Sequence, residues 1–209
     1  MVKPACSTAA DVGFLLDSSA SIGNEYKKEK CFLKKLAAAF GVSDTGSRAG
    51  VVTFSRNAEH SIKLNEHKNI TSFNNTVDSI QFMANQTRID KALRLAQREM
   101  FNHSNGGRPG VPRVLILLTD GSQTKDSDAE DPAVVAEELR NQSVIIIVVG
   151  IGSDINLLEL NNIAGGNRNR FFNANSFSDL ISNEFINKVK GSGCKAGEAS
   201  IGLFYFYFD

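Results

Sequence analysis

Six consecutive residues, Val144 to Val149, are all apolar and all β-branched, and they end at Gly150. Branching at Cβ restricts χ1 in a helix and suits the pleated surface of a sheet. No polar residue alternates with the apolar ones, so the run reads as a strand covered on both faces. Such strands belong to parallel sheets, and parallel neighbours need long crossovers, usually helices. Two shorter runs, Val12 to Leu16 and Val114 to Leu118, read the same way.

The intervening segments carry the helices this requires. Asn24 to Phe40 has Tyr26, Leu33, Leu36, Ala37 and Phe40 at helical spacing and stops near Gly41. Ser72 to Ile80 and Arg88 to Phe101 read as helices; the latter sets Ile89, Ala92, Leu93, Ala96 and Met100 on one face. Asp131 is placed to cap a helix that starts at Pro132 and runs to Leu139. Asn156 to Ala164 is stopped by Gly165-Gly166, and Phe177 to Lys190 is the last helix. Gly50 to Phe54 and Ser61 to Leu64 read as a hairpin, and Arg170 to Asn173 as a short edge strand. The expected fold is α/β and doubly wound. It has a mostly parallel six-stranded sheet, helices on both faces and one short antiparallel edge strand. Residues 11–190 form the domain, 1–10 an N-terminal flank, and 191–209 a C-terminal flank opening on a glycine-rich stretch.

Charge narrows the partners. The 209 residues include 23 basic and 23 acidic side chains, a formal balance of zero, which argues against general nucleic-acid or anionic-membrane binding. No apolar stretch reaches the roughly 18 residues of a membrane span, so no direct membrane insertion by the domain is expected. Ile201 to Phe208 is apolar and too short to span. It reads as a terminus without a role or as the start of a truncated anchor.

Five oxygen-bearing side chains fall at strand ends or on loops. Asp17, Ser19 and Ser21 form a D-x-S-x-S run directly after the Val12 to Leu16 strand, Thr87 precedes a helix, and Asp120 ends the Val114 to Leu118 strand. In doubly wound sheets ligands bind beyond the carboxyl ends of the strands, where the strand order reverses. Two carboxylates and three hydroxyls are hard donors suited to a hard divalent cation. The set is short of negative charge, which leaves a cation electrophilic and open to a further ligand. Taken singly, the serines are ordinary turn and cap residues.

With Asp11-Val12-Gly13-Phe14-Leu15-Leu16-Asp17-Ser18-Ser19, Ala49 to Ser55, Thr87 to Leu93, Leu118-Thr119-Asp120-Gly121-Ser122 and Val149 to Gly152, the chain resembles the von Willebrand factor type A domain, the fold also used as the integrin I domain. The resemblance covers about residues 11–190. It implies a metal-ion-dependent adhesion site holding Mg²⁺, for which Mn²⁺ can substitute, at Asp17, Ser19, Ser21, Thr87 and Asp120. It implies adhesion rather than catalysis, with a protein ligand, collagen or another matrix protein, supplying an acidic residue to the metal. Movement of the last helix on ligand binding is known in the family. Two stretches depart from relatives. Met83-Ala84-Asn85-Gln86 stands where many have glycines, and no extra short helix follows Gly150-Ile151-Gly152 as in collagen-binding integrin I domains.

The cysteines point to an oxidising compartment. Cys6 precedes the first strand and Cys194 follows the last expected helix; a bond between them ties the domain's ends, with two free thiols as the alternative. Cys31 falls opposite the apolar face of its helix, beside Lys27, Lys34 and Lys35. It is either a candidate for pairing between chains or an inert, partly buried thiol. Asn69, Asn74, Asn102 and Asn141 head N-x-S/T sequons and are candidate glycan acceptors; Asn85 heads another, but Thr87 is claimed by the metal set. The expected setting is secreted or extracellular, as a piece of a longer protein whose signal peptide lies outside this sequence.

Two other functions compete. One is a structural module with an idle metal site, assembled through Cys31 or surface contacts. The other is a Mg²⁺-dependent hydrolase on a similar sheet, disfavoured because Ser19 stands where a D-x-D pair needs its second acid. Asp44-Thr45-Gly46 has no second copy to make an aspartic-protease pair, and His60, His67 and His103 lack ligand spacing.

Overall fold

The computed structural model of the chain describes residue 6 and residues 8–205, with side chains as far as residue 198. Six strands form one sheet: β1 (Asp11–Asp17), β2 (Arg48–Phe54), β3 (Ala58–Ile62), β4 (Arg113–Thr119), β5 (Val144–Ile151) and β6 (Phe171–Ala174). Their order is β3-β2-β1-β4-β5-β6, and only β3 runs antiparallel. The order reverses between β1 and β4, the two central strands that carry the D-x-S-x-S run and Asp120 at their ends.

Alternation on the central strands sends side chains to two cores. Val12, Phe14 and Leu16, with Val114, Ile116 and Leu118, meet α1 (Tyr26–Phe40) on one face. Leu15, Leu115 and Leu117 meet α3 (Ile89–Leu95) and α4 (Pro132–Asn141) on the other. The remaining helices are α2 (Ile70–Ser79), α5 (Leu157–Ile163), α6 (Phe177–Leu180) and α7 (Asn183–Tyr205). Asp131 accepts from the Ala133 N–H and caps α4 ahead of Pro132, and Gly41 closes α1 in the left-handed conformation at φ 77°.

Three elements differ from expectation. The hairpin's second strand is Ala58–Ile62, because a tight turn pairs Phe54 with Ala58; Leu64 lies beyond its end yet is buried, so its apolar signal reports the core. The helix expected over Arg88 to Phe101 passes from α into a π segment at Ala96–Met100. Met100 settles over the facing glycines Gly13 and Gly50, where an added Cβ would lie 2.9 Å and 2.8 Å from its side chain. The last helix is two. It breaks after Leu180, and α7 restarts at Asn183 with the Ser182 hydroxyl accepting from the Phe185 N–H.

Helix α7 then continues through Gly191, Gly193 and Gly197 to Tyr205. Glycine here permits close packing: a Cβ on Gly193 would stand 2.7 Å from the Phe40 ring. Cys6 and Cys194 are joined by a disulfide, which fastens the chain ahead of β1 to α7. The backbone of the apolar terminus is helical to Tyr205; its side chains lie outside the described residues. No helix among the described residues is long and apolar enough to cross a membrane.

Candidate metal site at the sheet rim

Asp17 is the last residue of β1 and is fully buried. Its Oδ1 accepts from the Ser19 N–H at 2.8 Å, which turns the chain sharply after the strand. Its Oδ2 accepts from the Thr119 hydroxyl at 2.5 Å, across the β1–β4 pairing. The next residue after Thr119 is Asp120, so this bond also sets the two acids side by side. The Ser19 and Ser21 hydroxyls lie 3.1 Å apart, and Ser21 Oγ donates to Asp120 Oδ1 at 2.7 Å. Four of the five expected residues therefore form one hydrogen-bonded group, in which Asp17 is joined through the Ser19 N–H and the other three through their side-chain oxygens.

Thr87 reaches the same place by a different route. The segment before it is stitched to the D-x-S-x-S turn: Ala20 N–H donates to the Asn85 carbonyl, Ala84 N–H to the Ser18 carbonyl, and Met83 N–H to Ser18 Oγ. Its own carbonyl accepts from the Thr124 N–H at 2.8 Å, in the loop that follows Asp120. A Cβ on Gly121 would lie 3.5 Å from Thr87 Oγ1, so the hydroxyl sits beside the Asp120–Gly121 corner.

Arg88, a residue that the sequence reading passed over, anchors this corner. It is 1% exposed, and its guanidinium donates to both Asp90 oxygens at 2.9 and 2.7 Å and to Asp128 at 2.7 Å. Asp90 also accepts from Gln123 Nε2 and the Glu130 N–H. Burial works against the Asp90 charge, but the bonds from Arg88, Gln123 and Glu130 together hold its carboxyl below the ordinary range. The network clamps residues 123–130 onto the start of α3, and so holds Thr87 and Asp120 in mutual register. An Arg-x-Asp directly after the threonine was the available signal.

The electrostatics favour a cation. Burial raises the Asp17 carboxyl to about 6, against the Thr119 and Ser19 hydrogen bonds, with Asp120 adding to the rise. Burial likewise raises Asp120, with Ser21 opposing and Asp154 reinforcing. Neither acid is ion-paired with a lysine or arginine among the described residues. An all-oxygen set of two acids and three hydroxyls, partly open through Ser21, fits a hard divalent ion. No cluster of three or more His, Cys, Asp or Glu side chains suited to a metal occurs among the described residues, so the hydroxyls are indispensable to any such site.

A further acid lies beneath. Glu29 is fully buried on α1, and neither carboxyl oxygen has a hydrogen-bond partner among the described residues. Burial pushes its carboxyl well above the usual range, and the charges of Asp17 and Asp120 push the same way. It sits three residues after Tyr26 and four before Leu33, within the apolar stripe, so helical spacing alone could have found it.

Residues 11–186 match the family model for the von Willebrand factor type A domain. The chain belongs to this family. It is 30% identical to cuticlin-6 of Caenorhabditis elegans over 173 residues, 82% of this chain and 29% of that protein. It is 35% identical to the human collagen alpha-5(VI) chain over 157 residues, 75% of this chain and 6% of that one. Among solved structures, proximal thread matrix protein 1 from the mussel byssus superposes with a TM-score of 0.85 at 29% identity, covering 92% of this chain and 50% of that one. Another structure of the mussel protein is described as having a zinc-occupied MIDAS motif, with a TM-score of 0.84 at 28% identity over the same shares. The chain thus spans less than a third of each of these two relatives and half of the mussel protein. BatB of Bacteroides thetaiotaomicron, at 17% identity and a TM-score of 0.72, shares the fold of this domain.

The remaining candidates are spread over the surface. Asn69, Asn102 and Asn141 are exposed and Asn74 is half-buried; the Asn69 side chain caps α2 by accepting from the Ser72 N–H. Cys31 is a half-buried free thiol on α1.

Proposed function

We propose that this von Willebrand factor type A domain is a non-catalytic, extracellular matrix-binding module that captures an acidic residue of a protein ligand at a Mg²⁺ site. The site comprises Asp17, Ser19, Ser21, Thr87 and Asp120, within the domain of residues 11–190. The observation that carries this reading is the hydrogen-bonded chain from Asp17, through the Ser19 N–H and the Ser19 and Ser21 hydroxyls, to Asp120, at the strand-order reversal and with no cation paired to either acid among the described residues. When bound, the ion supplies an electrophilic bridge to the ligand's carboxylate. Thr119 and the Ser19 N–H hold Asp17 in place, and Arg88 through Asp90 and Asp128 keeps the Thr87 and Asp120 loops together. Collagen VI chains, cuticlin-6 and a byssal matrix protein among the relatives support a matrix partner, and the disulfide supports an extracellular setting. Asn69, Asn102 and Asn141 are our proposed glycan acceptors, being exposed.

Solid-phase binding to a panel of matrix proteins, in Mg²⁺ and in EDTA, tests the proposal with Asp120→Ala alongside. Binding in Mg²⁺ alone, lost in the variant while circular dichroism is unchanged, is expected. Equal binding in all three conditions overturns it.

A further inference from the structure

At the opposite edge of the sheet, where β6 begins, a groove of about 690 Å³ runs between residues 167–170 and α7. Arg168, Arg170, Lys188 and Lys195 line it, and among the described residues no carboxylate does. For a chain whose charges balance to zero this is a marked local excess. Arg168, Arg170 and Lys195 make no ion pair among the described residues. Among the described residues Lys188 pairs with Glu184, one helical turn away, at 2.8 Å and with both side chains mostly exposed; such a pair is weak and easily exchanged. Lys188 and Lys195 are seven residues apart, so they share a helical face.

The groove is held in shape. Asn167 Oδ1 accepts from the Asn169 N–H, the Arg170 N–H donates to the Asn167 carbonyl, and the Ser192 hydroxyl donates to the Asn169 carbonyl at 2.6 Å, fastening the loop to α7. The Cys6–Cys194 bond secures the same stretch of helix. The neutral part of the wall is chiefly amide and hydroxyl, with Phe172 the one aromatic among the described residues. That composition lacks the apolar anchors a peptide needs and the stacking platforms a single-stranded nucleic acid needs. It suits a hydrated, polyhydroxylated chain carrying regularly spaced anions.

We infer that this groove is a binding site for a sulfated polysaccharide, held by Arg168, Arg170, Lys188 and Lys195 and independent of the metal rim. Gly191 lines the groove and a Cβ there meets nothing within 4 Å, so Gly191→Glu brings an acid to the groove wall and Gly191→Ala controls for the backbone. Heparin affinity chromatography and calorimetry would compare the unaltered protein, both glycine variants, and Arg168→Ala/Arg170→Ala, each checked for fold by circular dichroism. Retention of the unaltered protein and Gly191→Ala is expected, the same in Mg²⁺ and in EDTA. Gly191→Glu and the double arginine variant should bind heparin about tenfold or more weakly, the scale of losing two charged contacts. Fully desulfated heparin and poly-glutamate should bind poorly. No retention at physiological salt, unchanged affinity in the two variants, or equal binding of poly-glutamate or single-stranded DNA would each overturn the assignment. Loss in EDTA would instead route the polysaccharide through the metal rim and also overturn it.

Discussion

Replacing Glu29 with methionine should make this domain more stable, by an amount that grows with pH. The side chain is fully buried on the inner stripe of α1, with both oxygens unpartnered among the described residues. An unsatisfied buried polar group costs about 1–3 kcal/mol, and more when charged. Methionine has nearly the same volume and adapts to irregular gaps, so little packing should be lost. The pH dependence follows from the direction of the shift, since folding raises the Glu29 carboxyl well above its ordinary value. Below the unfolded value, near 4.3, both states are protonated and no penalty arises from charge. As pH climbs past it, the unfolded chain releases the proton and the folded one keeps it. Stability then falls by up to about 1.4 kcal/mol per pH unit until the folded value is reached. Asp17, also raised, contributes a slope of the same sign in both proteins, so the difference between them isolates Glu29. At pH 8 the gain should be about 3 kcal/mol, or roughly 6–12 °C in Tm for a domain of this size. At pH 4.5 it should be much smaller. Calorimetric melts in EDTA at the two pH values measure this directly. Glu29→Gln serves as the control that removes the charge but keeps a polar group, and it should flatten the slope with little net gain. A methionine variant less stable than the parent at pH 8, or a gain equal at both pH values, would refute the reasoning.

Four further outcomes are expected. Arg88→Met should destabilise by about 3–5 kcal/mol, because it leaves Asp90 buried without its cation; chemical denaturation at pH 7 measures it. If Mg²⁺ binds at Asp17 and Asp120, saturation to 100 times its Kd should stabilise by about 2.7 kcal/mol, and a thermal-shift titration of Asp120→Ala should show no such rise. Reducing the Cys6–Cys194 bond should lower stability by about 2–5 kcal/mol, read from denaturant midpoints with and without reductant. Gly13→Ala should cost about 1–3 kcal/mol through its clash with Leu115 and Met100, with partial recovery on adding Met100→Ala, as a double-mutant cycle will show.

Much of the framework was legible in the chain because hydrophobic periodicity is a local signal. The β-branched run at Val144 to Val149, the amphipathic stretch after Asn24 and the Asp131-Pro132 start announce strand, helix and cap without any tertiary information. The candidate rim residues could be named for the same reason, since Asp17 and Asp120 each terminate an apolar run. What sequence reading lost were features defined by what lies opposite. Glycines at 191, 193 and 197 look like a helix end, yet α7 passes through all three, and at Gly193 the Phe40 ring occupies the space a side chain would fill. Met100 lies in a π segment over two glycines from strands remote in sequence.

By itself, then, the order of residues determined which segments are strands and helices and which oxygens stand at strand ends, because backbone propensity and burial pattern act over a few neighbours. Only the tertiary structure decided that β1 and β4 are adjacent, that Thr119 donates to Asp17 and Ser21 to Asp120, that Arg88 locks two loops, and that a buried Glu29 with no hydrogen-bond partner among the described residues lies below them. Those depend on contacts between positions up to about a hundred residues apart, whose geometry is settled by sheet order and close packing rather than by any local preference.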